Sequence, residues 1–281
     1  MNRTGQNPQA AAVAIIPARF NSTRLPGKPL LDICGRPMVV RVVERALSAR
    51  NVSRALVATD DARIYEAVRA AGHEALMTRA DHPSGSDRLA EAAATLGSEF
   101  RVVVNVQGDE PLISPRTIER AVEALASDPA AQISTTCERI ADLADVLSPD
   151  VVKVVTDGHG RALYFSRSPV PLPRDAVIRH GSLPAALESE PALLHTFRKH
   201  TGLYVYRRAF LLEYARWPQG ELERAESLEQ LRILERGARI RVVEAAAPSV
   251  GVDTPADLER VRAILGGESL KRAGGGSDFE L

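Results

Sequence analysis

Short apolar runs recur along this chain, separated by segments whose apolar positions fall at helical spacing. Val13-Ala14-Ile15-Ile16, Ala55 to Ala58, a run near Ala75 to Met77 and Val102 to Val106 read as strands buried on both faces. Helices are predicted between them over Pro37 to Leu47, Ala62 to Ala71 and Asp87 to Leu96, and again after Ser114-Pro115, where serine can cap free amides and proline fits the first turn. This is βαβ rhythm, and a mostly parallel sheet of an α/β fold follows from it. Pro17 is expected to close the first strand, because proline cannot supply the next ladder donor.

Past Ile133 the rhythm changes. Val151 to Val155 and Ala162 to Phe165 are strand-like, whereas the prolines between Ser168 and Pro173 forbid a regular central strand. Asp175 to Leu194 has weak periodicity and reads as a surface loop or short helix, followed by β-rich Gly202 to Tyr206. Residues 158–216 are therefore taken as an insertion. The main pattern resumes with a helix from Leu222 to Arg236, a strand from Ile240 to Val243, and a helix opened by Thr254-Pro255-Ala256-Asp257, a capping-box variant with proline at its first position. Residues 1–12 and the Gly/Ser-rich tail 266–281 are expected to be disordered, leaving 13–265 as the folded domain.

The 281 residues are 44% hydrophobic, enough for a substantial core, and 36 basic residues balance 36 acidic ones. Zero net charge argues against broad electrostatic binding to nucleic acid or to an anionic membrane, so an anion site must come from local clustering. No apolar run approaches the roughly 20 residues that span a bilayer, and Met1 to Gln9 is polar without a secretory core, so a cytoplasmic protein is expected. Cys34 and Cys137 lie far apart with no metal-ligand spacing and read as small buried residues.

One such cluster follows the first strand. Arg19, Arg24 and Lys28 flank Gly27, where backbone amides can approach an anion; the spacing is not that of a Walker loop, and an ordinary basic surface loop is the alternative. Gln107-Gly108-Asp109-Glu110-Pro111 lies just beyond the carboxyl end of a predicted strand, where open α/β sheets bind ligands, and Asp109 suits Mg²⁺ already held by phosphates. A plain turn is equally compatible with that stretch. Asp253, before the last helix, is either a second Mg²⁺ ligand or a polar turn residue. Ser84 and Arg88, in Ser84-Gly85-Ser86-Asp87-Arg88, offer groups that cap a helix or meet a nucleotide. Arg167 and Arg174 carry planar forks that fit a carboxylate, and His200, Tyr204, Glu229 and Gln230 offer polar groups beside apolar framework residues.

Taken together, Ile16-Pro17-Ala18-Arg19, Ser22 to Leu30, Val57-Ala58-Thr59-Asp60, Asn105 to Pro111, Tyr164-Phe165-Ser166-Arg167, Leu228-Glu229-Gln230-Leu231-Arg232 and Gly251-Val252-Asp253-Thr254-Pro255 resemble the 3-deoxy-manno-octulosonate cytidylyltransferases, over roughly Val13 to Leu265. The resemblance implies a Rossmann-like sheet of the nucleotidyltransferase type with a small inserted subdomain that serves dimerisation and the sugar pocket. It implies CTP and the acid sugar 3-deoxy-D-manno-octulosonate (Kdo) as substrates, CMP-Kdo for lipopolysaccharide synthesis and pyrophosphate as products, Mg²⁺ as cofactor, and a homodimer. Carried over position by position, Arg19, Arg24 and Lys28 would hold the triphosphate, Ser84 and Arg88 would lie near the nucleotide, and Asp109 and Asp253 would ligate Mg²⁺, with Arg19, Lys28 and Asp109 central to catalysis. Gln107 would serve nucleotide and sugar, and Arg167, Arg174, His200, Tyr204, Glu229 and Gln230 the sugar.

Leu172-Pro173 stands where relatives often carry an aromatic and an acidic residue, and Asp175 to Phe197 is longer than usual, so an amino-substituted Kdo or a related acid is an open alternative. A sialic-acid cytidylyltransferase shares the chemistry, but Gln107 to Pro111 and Leu228 to Arg232 favour Kdo. A glycosyltransferase would normally carry Asp-x-Asp where this chain has Asp109-Glu110-Pro111. A non-catalytic nucleotide binder predicts CTP binding without pyrophosphate release, and it has no need of Asp109, Asp253 and Lys28 together.

Overall fold

The structure is a computed structural model that describes residues 12–20, 25–82, 84–248 and 250–274. It falls into two compact units, one formed by residues up to 115 together with those from 249 onward, the other by 116–248. The insertion expected over 158–216 lies wholly within the second unit.

The first unit runs β1 (Ala12–Ala18), α1 (Met38–Leu47), β2 (Val52–Thr59), α2 (Ala62–Ala70), β3 (Glu74–Met77), α3 (Gly85–Ala94) and β4 (Val102–Asn105). The second contains α4 (Pro115–Ser127), β5 (Ile133–Arg139), α5 (Leu143–Leu147), β6 (Lys153–Thr156), β7 (Ala162–Ser166), α6 (Arg174–His180), α7 (Leu183–Ser189), β8 (Arg198–Arg207), α8 (Arg208–Tyr214), α9 (Glu221–Glu226), α10 (Glu229–Glu235) and β9 (Ile240–Glu244). The chain then returns to the first unit with α11 (Pro255–Gly274).

In the first unit β1 lies between β2 and β4, with β3 outside β2, and every pairing is parallel. Ala12 to Ile16 are completely buried, as a strand covered on both faces requires. Contrary to expectation, β1 continues through Pro17, which pairs with Ala58. Residues of a parallel strand bond alternately to the left and right neighbour, and Ile15 accepts from Val106 on the β4 side. Pro17 faces that same side, where the β4 register has ended at Asn105, so its missing N–H breaks no ladder bond.

Ile33, Met38, Val252, Leu258 and Val261 form a buried cluster that ties the returning carboxyl-terminal segment to the start of α1. The cap of α11 fixes the same segment: the Asp257 carboxylate accepts from the backbone amides of Asp253 and Thr254 and from the Thr254 hydroxyl, while Thr254 Oγ1 accepts from the Asp257 amide. These bonds hold the Asp257 carboxyl below its usual range. The helix runs to Gly274, into the tail whose composition favours disorder. The expected disorder of 1–11 and 275–281 lies outside the described residues. Among the described residues no helix is long and apolar enough to cross a membrane.

The second unit has a mixed sheet. β5 pairs antiparallel with β8 and parallel with β9, and β6 pairs antiparallel with both β7 and β8. Asp175 to Leu194, read as a loop or short helix, holds α6, α7 and a 3₁₀ turn from Pro191 to Thr196. The single helix expected over Leu222 to Arg236 is two, α9 and α10, broken at Ser227, which adopts a left-handed φ of 53°. A buried ion pair locks the two pieces: Arg232 on α10 donates from Nε and Nη2 to the Glu223 carboxylate on α9 at 2.6 and 2.5 Å. Replacing Glu223 with Ala leaves Arg232 buried and unpaired, and a loss of about 3–5 kcal/mol is expected from urea unfolding midpoints; a loss below about 1 kcal/mol would show that the pair does not hold α9 to α10.

Candidate functional site

Two strand ends build the polar cluster of the first unit. β1 delivers Arg19, and β4 delivers Gln107, Gly108 and Asp109. The Gly108 backbone passes so close to β1 that a Cβ there would lie 2.9 Å from the Pro17 carbonyl oxygen, so a side chain cannot enter without displacing Asp109. Opposite, Gly27 at φ 67° closes the loop with its amide on the Phe20 carbonyl and opens the 3₁₀ turn Lys28–Leu30. Val252, fully buried, donates its amide to the Asp109 carbonyl at 2.9 Å, which seats Asp253 beside Asp109.

Lys28 occupies the centre. Its Nζ lies 2.7 Å from Asp109 Oδ2 and 3.0 Å from Asp253 Oδ1, although those residues stand 81 and 225 positions away in sequence. The Lys28 side chain is 13% exposed, those of Asp109 and Asp253 34% and 47%, so the carboxylates open to solvent while the ammonium sits behind them. Arg19 is exposed and one Nη2 donates to the carbonyls of His82 and Ser84, both at 3.0 Å, leaving its other donors for a ligand. Gln107 is half-buried, and its carbonyl accepts from the Glu110 amide in the turn that carries Asp109. Arg24 lies outside the described residues.

Ser84 and Arg88, both expected near the nucleotide, hold α3 in place. Ser84 caps α3, accepting from the Asp87 amide and donating to the Asp87 carboxylate at 2.7 Å. Arg88 is completely buried: Nη1 donates to Thr78 Oγ1 at 2.6 Å and Nη2 lies 2.9 Å from Asp60 Oδ2. Its side chain anchors α3 to the end of β2.

Apart from Gln107, the residues expected on the sugar side lie in the second unit. His200, on β8, meets Thr135 Oγ1 at 2.9 Å and packs between the rings of Phe165 and Tyr204, with centroids 5.0 and 5.2 Å away. This enclosure pushes its imidazole down to about 3 and raises the Tyr204 phenol well above its ordinary value. Gln230 is buried, and Glu229, at the start of α10, accepts at its carbonyl from the Tyr214 hydroxyl. Arg167 is tied to backbone: Nε donates to the Glu226 carbonyl at 2.7 Å, Nη1 to Pro149 at 2.8 Å and Nη2 to Ser227 at 3.4 Å. Arg174 is 77% exposed with a loose ion pair to Asp175 at 3.5 Å.

Sequence reasoning missed Thr135, Glu226 and Lys153. Lys153 carried a readable signal, since a lysine inside Val151-Val152-Lys153-Val154-Val155 must find partners if the strand is buried. The buried hydroxyl of Thr135 gives no such signal. Cys137 is buried as expected, with its thiol pushed up to about 11, whereas Cys34 is exposed at a positive φ of 52°, because the turn between Asp32 and Pro37 lies at the surface. Among the described residues no three His, Cys, Asp or Glu side chains gather to hold a metal ion by themselves.

Comparison with known proteins gives this geometry its context. The cytidylyltransferase family model matches residues 13–240. A 3-deoxy-manno-octulosonate cytidylyltransferase of Geobacter sulfurreducens is 57% identical over 248 residues, covering 88% of this chain and 96% of that protein. Another of the same name from Trichlorobacter lovleyi is 53% identical over 250 residues, covering 89% and 96%. A solved CMP:2-keto-3-deoxy-manno-octonic acid synthetase complexed with CTP is 46% identical, aligns over 92% of this chain and 99% of its own, and superposes with a TM-score of 0.81.

With its pKa depressed from 6.5 to about 3, His200 favours the neutral imidazole, so the stability it contributes is present above pH 6.5 and declines as pH falls toward about 3. NMR titration of the imidazole is expected to show no protonation until the protein approaches that acid limit; a midpoint near 6.5 would mean that the ring is open to solvent.

Proposed function

This chain belongs to the 3-deoxy-manno-octulosonate cytidylyltransferase family, and on that premise we propose that it transfers the CMP group of CTP to the anomeric 2-hydroxyl of Kdo. The products are CMP-Kdo, for lipopolysaccharide synthesis, and pyrophosphate. The observation that carries the reading is the meeting of Lys28, Asp109 and Asp253 at one cluster in a chain this similar to such enzymes.

The Kdo hydroxyl oxygen forms a bond to the α-phosphorus as the bond from that phosphorus to the bridging oxygen breaks. Pyrophosphate leaves in line with the bonding pair, and the hydroxyl proton passes to solvent. Positioning and charge neutralisation supply most of the acceleration in chemistry of this kind. Asp109 and Asp253 offer hard oxygen donors that open to solvent, and two carboxylates fit a Mg²⁺ ion that keeps phosphate oxygens and water as its other ligands. Bound there, Mg²⁺ would neutralise charge on the phosphates and lower the pKa of a nearby hydroxyl. Lys28 and the free donors of Arg19 would bind the triphosphate oxygens, and Gln107 would orient the substrates beside them. Arg167 and Arg174 would take the Kdo carboxylate, His200 in its neutral form would hydrogen-bond a sugar hydroxyl, and Tyr204, Glu229 and Gln230 would complete the sugar contacts.

A homodimer is part of the reading, supported by Leu163, Leu172 and Ile178, apolar residues of the second unit that stay 62%, 59% and 62% exposed. Both substrates are water-soluble, which supports the cytoplasm as the place of reaction.

Pyrophosphate release from purified protein with CTP and Mg²⁺ tests the proposal, with Kdo, its amino-substituted analogue and sialic acid in parallel. Rapid release with Kdo alone is expected, and Asp109→Ala or Asp253→Ala is expected to lower turnover on the order of a hundredfold without unfolding. Preference for another acid would move specificity to the region of Leu172-Pro173. Near-wild-type rates in either variant would remove that carboxylate from the metal role, and CTP binding without release would favour a non-catalytic binder.

A further inference from the structure

Lys153, the first residue of β6, is an unusual occupant of a strand. Its side chain is completely buried, and its Nζ donates to three backbone carbonyls: Ser148 at 2.8 Å, Val151 at 2.6 Å and Arg167 at 2.6 Å. An ammonium has three donors and no acceptor, so this cage matches all it can offer. Removing a cation from water is costly, and burial accordingly lowers the Lys153 pKa. A leucine or valine would fill the strand without that cost, so a lysine here calls for a purpose that the apolar core does not supply.

All three carbonyls bear on Arg167. One belongs to Arg167 itself. The other two, Ser148 and Val151, bracket Pro149, whose carbonyl accepts from Arg167 Nη1. The opposite side of Arg167 is held by Glu226. That carboxylate accepts the Arg167 amide at 2.9 Å and the Ser166 hydroxyl at 2.7 Å, while the Glu226 carbonyl accepts Arg167 Nε. The left-handed Ser227, which ends α9, turns the next carbonyl toward Nη2. Arg167 is thus fixed at its amide, its carbonyl and all three guanidinium nitrogens. A guanidinium carries five N–H bonds, and these three contacts leave two of them for a ligand in a fixed plane.

We propose that Lys153 is a positioning residue for the acid sugar: with Glu226 it preorganises Arg167, so that the guanidinium meets the sugar carboxylate without first losing its own conformational freedom. The inference rests on the reading of Arg167 given above, and it assigns Lys153 no contact with either substrate. Preorganisation of this kind acts on the affinity of the ligand that the arm binds. It leaves the triphosphate cluster of the first unit unchanged.

A double-mutant cycle read by steady-state kinetics decides the point. Lys153→Met keeps the length of the stem and removes the donors. It is expected to raise KM for Kdo about tenfold, with KM for CTP unchanged. In an Arg167→Ala background, which by itself raises KM for Kdo, the same change is expected to add nothing further, because the arm it positions is gone. An equal additional rise in that background, or a fall in kcat with both KM values unchanged, would make Lys153 a general structural anchor and overturn the proposal. If Arg167→Ala alone leaves KM for Kdo unchanged, the reading of Arg167 fails and the proposal falls with it, a result distinct from the additive one. Should Lys153→Met not fold, Glu226→Gln enters the same cycle, since it weakens the other half of the frame with little change of shape, and the same two patterns decide.

Discussion

The ammonium of Lys28 between the carboxylates of Asp109 and Asp253 is the interaction that holds the polar cluster of the first unit together. Asp109 and Asp253 lie side by side on segments far apart in sequence, and two such carboxylates repel each other unless a cation intervenes. Lys28 supplies that cation in the absence of ligand. The surrounding structure exists to make the meeting possible: a glycine at 108 lets the β4 end approach β1, Gly27 aims the lysine, and the apolar cluster around Val252 with the cap of α11 returns Asp253 to the strand ends. A phosphate arriving at Lys28 and a divalent cation arriving at the carboxylates would each take over part of this balance.

The second unit depends on a different constraint, the satisfaction of buried polar groups. Ser134, Thr135 and Thr136 are completely buried on β5, with Ser134 donating to the Ala121 carbonyl and Thr135 to the Leu203 carbonyl. Thr135 also meets His200, which is held neutral by its enclosure. Lys153 and Glu226 perform the same service around Arg167. Groups satisfied in this way have few alternative arrangements, so the side chains expected to meet the sugar are set by hydrogen bonds and not by apolar packing alone.

How much of this could be read from sequence follows from the same two constraints. The parallel strands of the first unit are nearly continuous apolar runs, so β1, β2 and β4 and the polar turns at their ends were legible. The proline inside β1 was misread because its consequence depends on which neighbour it faces, and that is a property of the sheet. β5 went unrecognised: Ile-Ser-Thr-Thr-Cys-Glu-Arg carries no apolar run, and only tertiary partners reveal that its hydroxyls are buried. The break between α9 and α10 was hidden because Ser227 in a left-handed conformation leaves no mark in periodicity, yet it supplies a carbonyl to Arg167. The burial of Arg88 against Asp60 and Thr78 likewise leaves no mark in the sequence, because it is a matter of packing.

Lys28 stands between Asp109 and Asp253, where a divalent cation would compete for the same carboxylates. Titration with Mn²⁺ alone, without nucleotide and followed by electron paramagnetic resonance, tests this directly. Weak binding is expected in the native protein, binding tighter on the order of tenfold in Lys28→Met, where the competing charge is gone, and loss of that gain when Asp109→Ala is added. Mn²⁺ affinity that is the same in the native protein and in Lys28→Met, or that survives removal of Asp109, would mean that the ammonium and a divalent cation do not compete for these carboxylates.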